Sequence, residues 1–130
     1  MKEEVLALIK YRLEEAEDSI KEAEVLLTEG MSMRAVMNRL YYAMFYAVLA
    51  LLQEKEMGTS KHAGAISLFD REFVKKGVFD ERMSKTLHRA FELRQRGDYM
   101  ERVEVAKSDV DEILSEAKEF VRRVKTHLLK

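Results

Sequence analysis

One arginine stands where an apolar residue is expected. Met83, Leu87, Ala90 and Phe91 mark the inner stripe of a helix, and further steps of three or four residues land on Arg94. A guanidinium on a core-facing stripe is costly unless it is paired. Near a helix end it can meet a carboxylate, backbone carbonyls, a second subunit or a phosphate. Arg96, Asp98 and Tyr99 follow at once. Two readings stay open here. Arg94 forms a structural ion pair, with Asp98 as the near carboxylate, or it anchors an anion site together with Arg96, Asp98 and Tyr99.

A second cluster lies earlier. Asn38, Arg39, Tyr41, Tyr42 and Tyr46 fall within three turns of one helix, with Tyr42 one turn from both Asn38 and Tyr46. Aromatic residues at helical spacing pack in cores and interfaces, and the same rings can stack on nucleobases. Arg34 and Arg39 place positive charge at the rim of that surface. His62, His88 and His127 sit in different segments, without His-x-x-x-His or Glu-x-x-His spacing, so neither a metal nor a cofactor is expected. The chain has no cysteine, which removes disulfides, thiolate zinc sites and cysteine nucleophiles. It also lacks the glycine patterns of phosphate loops, dinucleotide folds and the serine nucleophile elbow.

Helices must position these groups. Gly30, Gly58, Gly77 and Gly97 each follow a stretch of helical periodicity and are read as helix closers. They divide the chain into five helices, over about 3–29, 32–55, 60–76, 80–96 and 108–129. Thr59 or Ser60, Asp80 and Ser108 are the expected caps of the last three. The stretch 97–107 is read as irregular. Leu6, Ile9, Leu13, Ala16, Ile20, Ala23 and Leu27 give the first helix one apolar stripe. The second half of the next helix, LYYAMFYAVLALL, is apolar all round and predicts burial on more than one side. Both a central place in the bundle and a subunit interface at its tyrosine edges are expected. The fold class is therefore all-α, an antiparallel up-and-down bundle of about five helices.

Composition bounds the rest. At 130 residues the chain is read as a single domain, 1–130. A net charge of -1 argues against a basic coat that grips nucleic acid nonspecifically. The longest apolar run, Leu40 to Leu52, falls short of the about 20 residues that a membrane span needs. No secretory signal pattern opens the chain, so a soluble cytoplasmic protein is expected. Asn occurs only at position 38 and Gln only at 53 and 95, beside abundant Glu, Lys and Arg, a usage that resembles a thermophile's.

Two segments taken together are family-like. NRLYYAMFYAVLALL at 38–52 and AFELRQRGDY at 90–99 resemble the HEPN superfamily (higher eukaryote and prokaryote nucleotide-binding domain), in its small stand-alone prokaryotic branch. The resemblance implies an antiparallel helical bundle that forms a homodimer. Many members are metal-independent ribonucleases, others are binding or regulatory modules, and some are encoded with a small nucleotidyltransferase as toxin and antitoxin. In the ribonucleases an Arg is separated from a His by four to six residues. The His transfers protons with the ribose 2′-hydroxyl and the Arg neutralises phosphate charge.

Here Tyr99 stands at that spacing from Arg94, and no His follows within reach. Arg82 with His88 and Arg122 with His127 fit the spacing, but away from the family's place. The expectation is a protein that binds RNA or nucleotide phosphate through Asn38, Arg39, Tyr42, Arg94, Arg96 and Asp98. Arg94 and Tyr99 are the catalytic candidates, a nucleotidyltransferase is the partner, and no DNA specificity is expected. The rival expectation is a catalytically inactive interaction or dimerisation module, in which Arg94 and Asp98 form a structural clamp.

Overall fold

Alternation of charge with an apolar stripe builds the first helix, and a left-handed glycine ends it. In the computed structural model, which describes residues 2–59, 61–99 and 105–130, α1 spans Glu3–Thr28. Gly30 adopts φ +73°, and the Met31 N–H returns to the Leu26 carbonyl at 2.9 Å. The chain reverses there into α2, Met33–Glu54, whose first turn is capped by Ser32 accepting from the Ala35 N–H at 3.2 Å. The two helices form an antiparallel hairpin, with Ile9, Leu13, Ala16, Ile20 and Ala23 of α1 buried as their spacing requires.

The next elements wrap α2. They are α3 (His62–Phe69), a single π-helical turn over Asp70–Val74, α4 (Glu81–Tyr99) and α5 (Lys107–Leu128). No strand occurs among the described residues. Helices α1, α3, α4 and α5 all pack on α2. From Leu40 to Leu52 only Tyr42, Tyr46 and Leu49 retain partial exposure. One chain thus covers most of this helix, as its all-round apolarity predicts, because four helices share the task. Helix α2 is long and apolar enough to cross a membrane, yet 67% of its most apolar stretch is buried inside the bundle. That is the profile of a core helix.

The boundaries correct the glycine reading in two places. Glu56, not Gly58, takes the left-handed conformation after α2, at φ 54°, and the Met57 N–H reaches the Leu52 carbonyl at 2.8 Å. The closing bond requires left-handed geometry at that one register position, whatever residue stands there. Gly97 closes nothing, since α4 continues through it to Tyr99. A glycine inside a helix costs only about 1 kcal/mol relative to alanine, so its presence does not force an end.

Two of the expected caps hold no helix start. α5 begins after Ala106, which makes no side-chain cap bond, rather than at Ser108. Ahead of α3, Thr59 Oγ1 accepts from the Lys61 N–H at 3.2 Å, while Ser60 lies outside the described residues. Asp80 behaves as expected, accepting from the Met83 N–H at 3.2 Å.

Candidate functional site

The core-stripe arginine finds aromatic faces. Arg94 projects from α4 toward α2, with its guanidinium carbon 5.4 Å from the Tyr41 ring centre and 5.2 Å from that of Tyr42. Its Nη2 donates to the Tyr42 hydroxyl at 3.3 Å. Half-buried beside two ring faces, the charge is attracted by both ring quadrupoles. The planar group is also pinned in one orientation.

Arg39 approaches the same tyrosine from its own helix. Its guanidinium carbon lies 5.2 Å from the Tyr42 ring centre, and its Nη2 and Nε donate to Asn38 Oδ1 at 3.0 and 3.3 Å. Its Nη1 also reaches Glu22 on α1 at 3.4 Å. Asn38, Arg39, Tyr42 and Arg94 are therefore brought together around one ring, as their types suggested. The side chains of Arg96, Asp98 and Tyr99 lie outside the described residues, and so does the expected clamp between Arg94 and Asp98.

Two further participants, Tyr41 of the aromatic cluster and His62, are not assigned to the site from the sequence. Tyr41 is fully buried, and its hydroxyl lies 2.7 Å from His62 Nδ1. The imidazole stacks on Phe45, with ring centres 4.1 Å apart and planes within 5°. It meets Tyr42 edge-on at 5.7 Å. Burial pushes the Tyr41 hydroxyl well above its usual pKa, against a smaller opposing pull from Arg94, so it keeps its proton. His62 shifts the other way. Burial first, and the Arg94 charge second, hold it below the ordinary histidine value, so the ring is neutral near pH 7.

His62 opens the helix that turns back onto the aromatic half of α2, a placement that the sequence does not show. Spacing rules compare neighbours in sequence, and this pair is 21 residues apart.

On its outer side His62 lines a cavity of about 330 Å³ together with Arg12, Phe45, Leu49, Gln53 and Thr59. The assembly offers an immobilised guanidinium, a neutral imidazole of fixed orientation and tyrosine hydroxyls. These groups suit the recognition of a phosphate ester. Among the described residues no cluster of His, Asp and Glu could hold a metal ion.

Known proteins are similar to this chain over most of its length. A UPF0332 protein of Thermotoga maritima is 38% identical over 114 residues, covering 88% of this chain and 86% of the relative. Two proteins of Methanocaldococcus jannaschii, both named as candidate toxins, are similar as well. One is 33% identical over 117 residues, or 90% of this chain and 79% of its own length. The other is 34% identical over 128 residues, or 98% of this chain and 91% of its own. The HEPN domain family matches residues 9–127, and with the all-helical bundle already described, the chain belongs to that family.

Proposed function

We propose that this protein is a toxin-like HEPN protein that binds RNA or nucleotide phosphate at the Arg94 site. The observation that carries the reading is the Arg94 guanidinium laid across Tyr41 and Tyr42, with Arg39 on the same ring. The two rings fix the orientation in which the cation would meet a phosphate oxygen. Two relatives named as candidate toxins support the toxin side of the reading. On this reading the protein works in the cytoplasm as a homodimer, and a small nucleotidyltransferase encoded beside it acts as antitoxin. Asn38, Arg39 and Tyr42 hold one side of the ligand and Arg94 the phosphate, and Arg96, Asp98 and Tyr99 join the proposal on their place in the sequence. The thermophile-like composition belongs to the same proposal, tested by a high melting temperature.

The deciding experiment is titration of Arg94→Ala with single-stranded RNA and with AMP. Binding falls by at least about tenfold while the dimer persists in sedimentation. Unchanged binding removes the site assignment. The ribonuclease version adds cleavage that survives EDTA, leaves a 2′,3′-cyclic phosphate and is lost in Arg94→Ala. No cleavage of any tested RNA by metal-free protein removes that version.

A second reading keeps the dimer and drops the ligand. Tyr42, Tyr46 and Leu49 are the partly exposed positions of the apolar half of α2, and they share one side of the helix at steps of three and four residues. A catalytically inactive interaction module would use that strip as its contact, and it would bind neither RNA nor AMP.

A further inference from the structure

No histidine follows Arg94 at the spacing of the ribonucleases, yet His62 lies against the same two tyrosines that hold Arg94. We propose that His62 is the second phosphate-contacting group of this site, presenting its Nε2–H as a hydrogen-bond donor to a phosphate ester oxygen. The proposal rests on the reading that Arg94 binds phosphate, and it names a residue which that reading does not contain.

The tautomer follows from hydrogen-bond accounting. The Tyr41 hydroxyl is buried, and among the described residues His62 Nδ1 is its one hydrogen-bond partner, at 2.7 Å. A buried O–H that keeps its proton must place it on an acceptor. The acceptor is the Nδ1 lone pair, so the imidazole proton resides on Nε2. Burial and the Arg94 charge favour the same neutral form.

The ring cannot swing to another task. Phe45 stacks on it face to face at 4.1 Å, and Tyr41 lies nearly parallel to it at 5.7 Å. With Nδ1 occupied, Nε2 is the ring atom left for a guest. It carries a proton, so at neutral pH it donates and does not serve as a base.

The surroundings fit an anion of modest size. His62 is half-buried and borders the cavity of about 330 Å³, whose polar lining is Arg12, Gln53 and Thr59. Of the charged groups near it, Arg94 comes from α4 and Arg12 from α1, the latter held by Glu15 at 2.7 Å. A neutral donor adds a hydrogen bond to phosphate without adding a further charge. An RNA phosphodiester and the phosphate of a free nucleotide share this chemistry.

The test uses two amide replacements that imitate different ring nitrogens. A glutamine amide nitrogen reaches close to the Nε2 position, and an asparagine amide only to that of Nδ1. His62→Gln and His62→Asn are titrated with a single-stranded RNA oligonucleotide and with AMP, beside Arg94→Ala. His62→Gln stays within about threefold of the parent, while His62→Asn weakens by about tenfold or more. Parallel loss on both probes assigns the contact to phosphate, and loss on RNA alone assigns it to the diester.

Parent-like binding by a folded His62→Asn overturns the proposal. If Arg94→Ala has lost binding in that case, the Arg94 reading survives without His62. If Arg94→Ala also binds like the parent, both fall together. Should His62→Asn not fold, nitrogen NMR of the parent decides. The expected signature is a neutral ring protonated at Nε2 whose signal moves on adding AMP. A proton on Nδ1, or an unmoved signal at saturating AMP, overturns the assignment.

Discussion

Two aromatic clusters occupy this bundle, and they do different work. At one end Phe69, Phe73, Phe79 and Phe120 meet with ring centres 5.4 to 6.1 Å apart, and each is at most 5% exposed. At the other, Tyr41, Tyr42, Phe45 and His62 pack at similar distances. A phenylalanine ring asks only that water be excluded. A buried tyrosine also asks for a hydrogen-bond partner, and here the partners are an imidazole and a guanidinium. Cations flank both clusters: Arg123 lies 5.8 Å from the Phe79 ring and pairs with Asp80 at 2.9 Å, and Arg39 lies 5.2 Å from the Tyr42 ring and pairs with Glu22 at 3.4 Å. Ring packing is common to both ends, and so is an imidazole, since His127 meets Phe73 and Phe79 edge-on; ring hydroxyls belong to the tyrosine end alone.

Truncation in the phenylalanine cluster tests that division most forcefully. Phe69→Ala deletes a fully buried ring and costs about 3–5 kcal/mol of unfolding free energy, read by chemical denaturation. On the proposed function, folded Phe69→Ala is expected to keep the parent's affinity for RNA. A variant that folds but no longer binds would mean that the two clusters are not separable.

Arg94→Lys comes next. Lysine keeps the charge and gives up the planar stack on Tyr41 and Tyr42. Phosphate binding weakens by about tenfold if orientation matters as well as charge. Full binding by the lysine variant would reduce the tyrosine bed to packing. Tyr42→Phe is milder, because it keeps the ring and removes only the hydroxyl that accepts from Arg94. A loss of about 1 kcal/mol in AMP binding is expected, measured by calorimetry.

These effects also show why some of the site could be read from sequence. Arg94 was legible because it violates the apolar stripe of its own helix, a local and periodic signal. Tyr42, Asn38 and Arg39 were legible because one helix carries all three. The ends at Gly30 and Gly77 were legible because both glycines do adopt positive φ. The end of α2 was not, since Glu56 supplies the left-handed position two residues before the glycine that advertises it.

The π-helical turn at Asp70–Val74 leaves no periodic mark in so short a stretch. His62 was illegible for a different reason. Its partner Tyr41 lies across a loop on another helix, and nothing about a lone histidine announces which ring it will stack on.

The gentlest test distinguishes the two ends by pH. His62 is held below its usual 6.5 in the folded chain, so the unfolded chain takes up a proton first as the medium acidifies. Stability therefore rises with pH through this interval, and its loss begins as pH falls below about 6.5. Glu72, on the π-helical turn beside Phe73, behaves differently. Hydrogen bonds from Lys76 at 2.8 Å and Arg71 at 2.9 Å hold its carboxyl at about 2, down from 4.5. Its contribution is complete above about 4.5 and disappears as pH falls toward 2.

Acid thus loosens the tyrosine end first and the phenylalanine end later. Denaturant melts from neutral to acid pH should show His62→Gln flattening the earlier loss and Glu72→Gln the later one. If Glu72→Gln instead flattens the loss that starts near pH 6.5, the neutral imidazole is not what the tyrosine end depends on. The polar partner of Tyr41 would then have to be sought elsewhere.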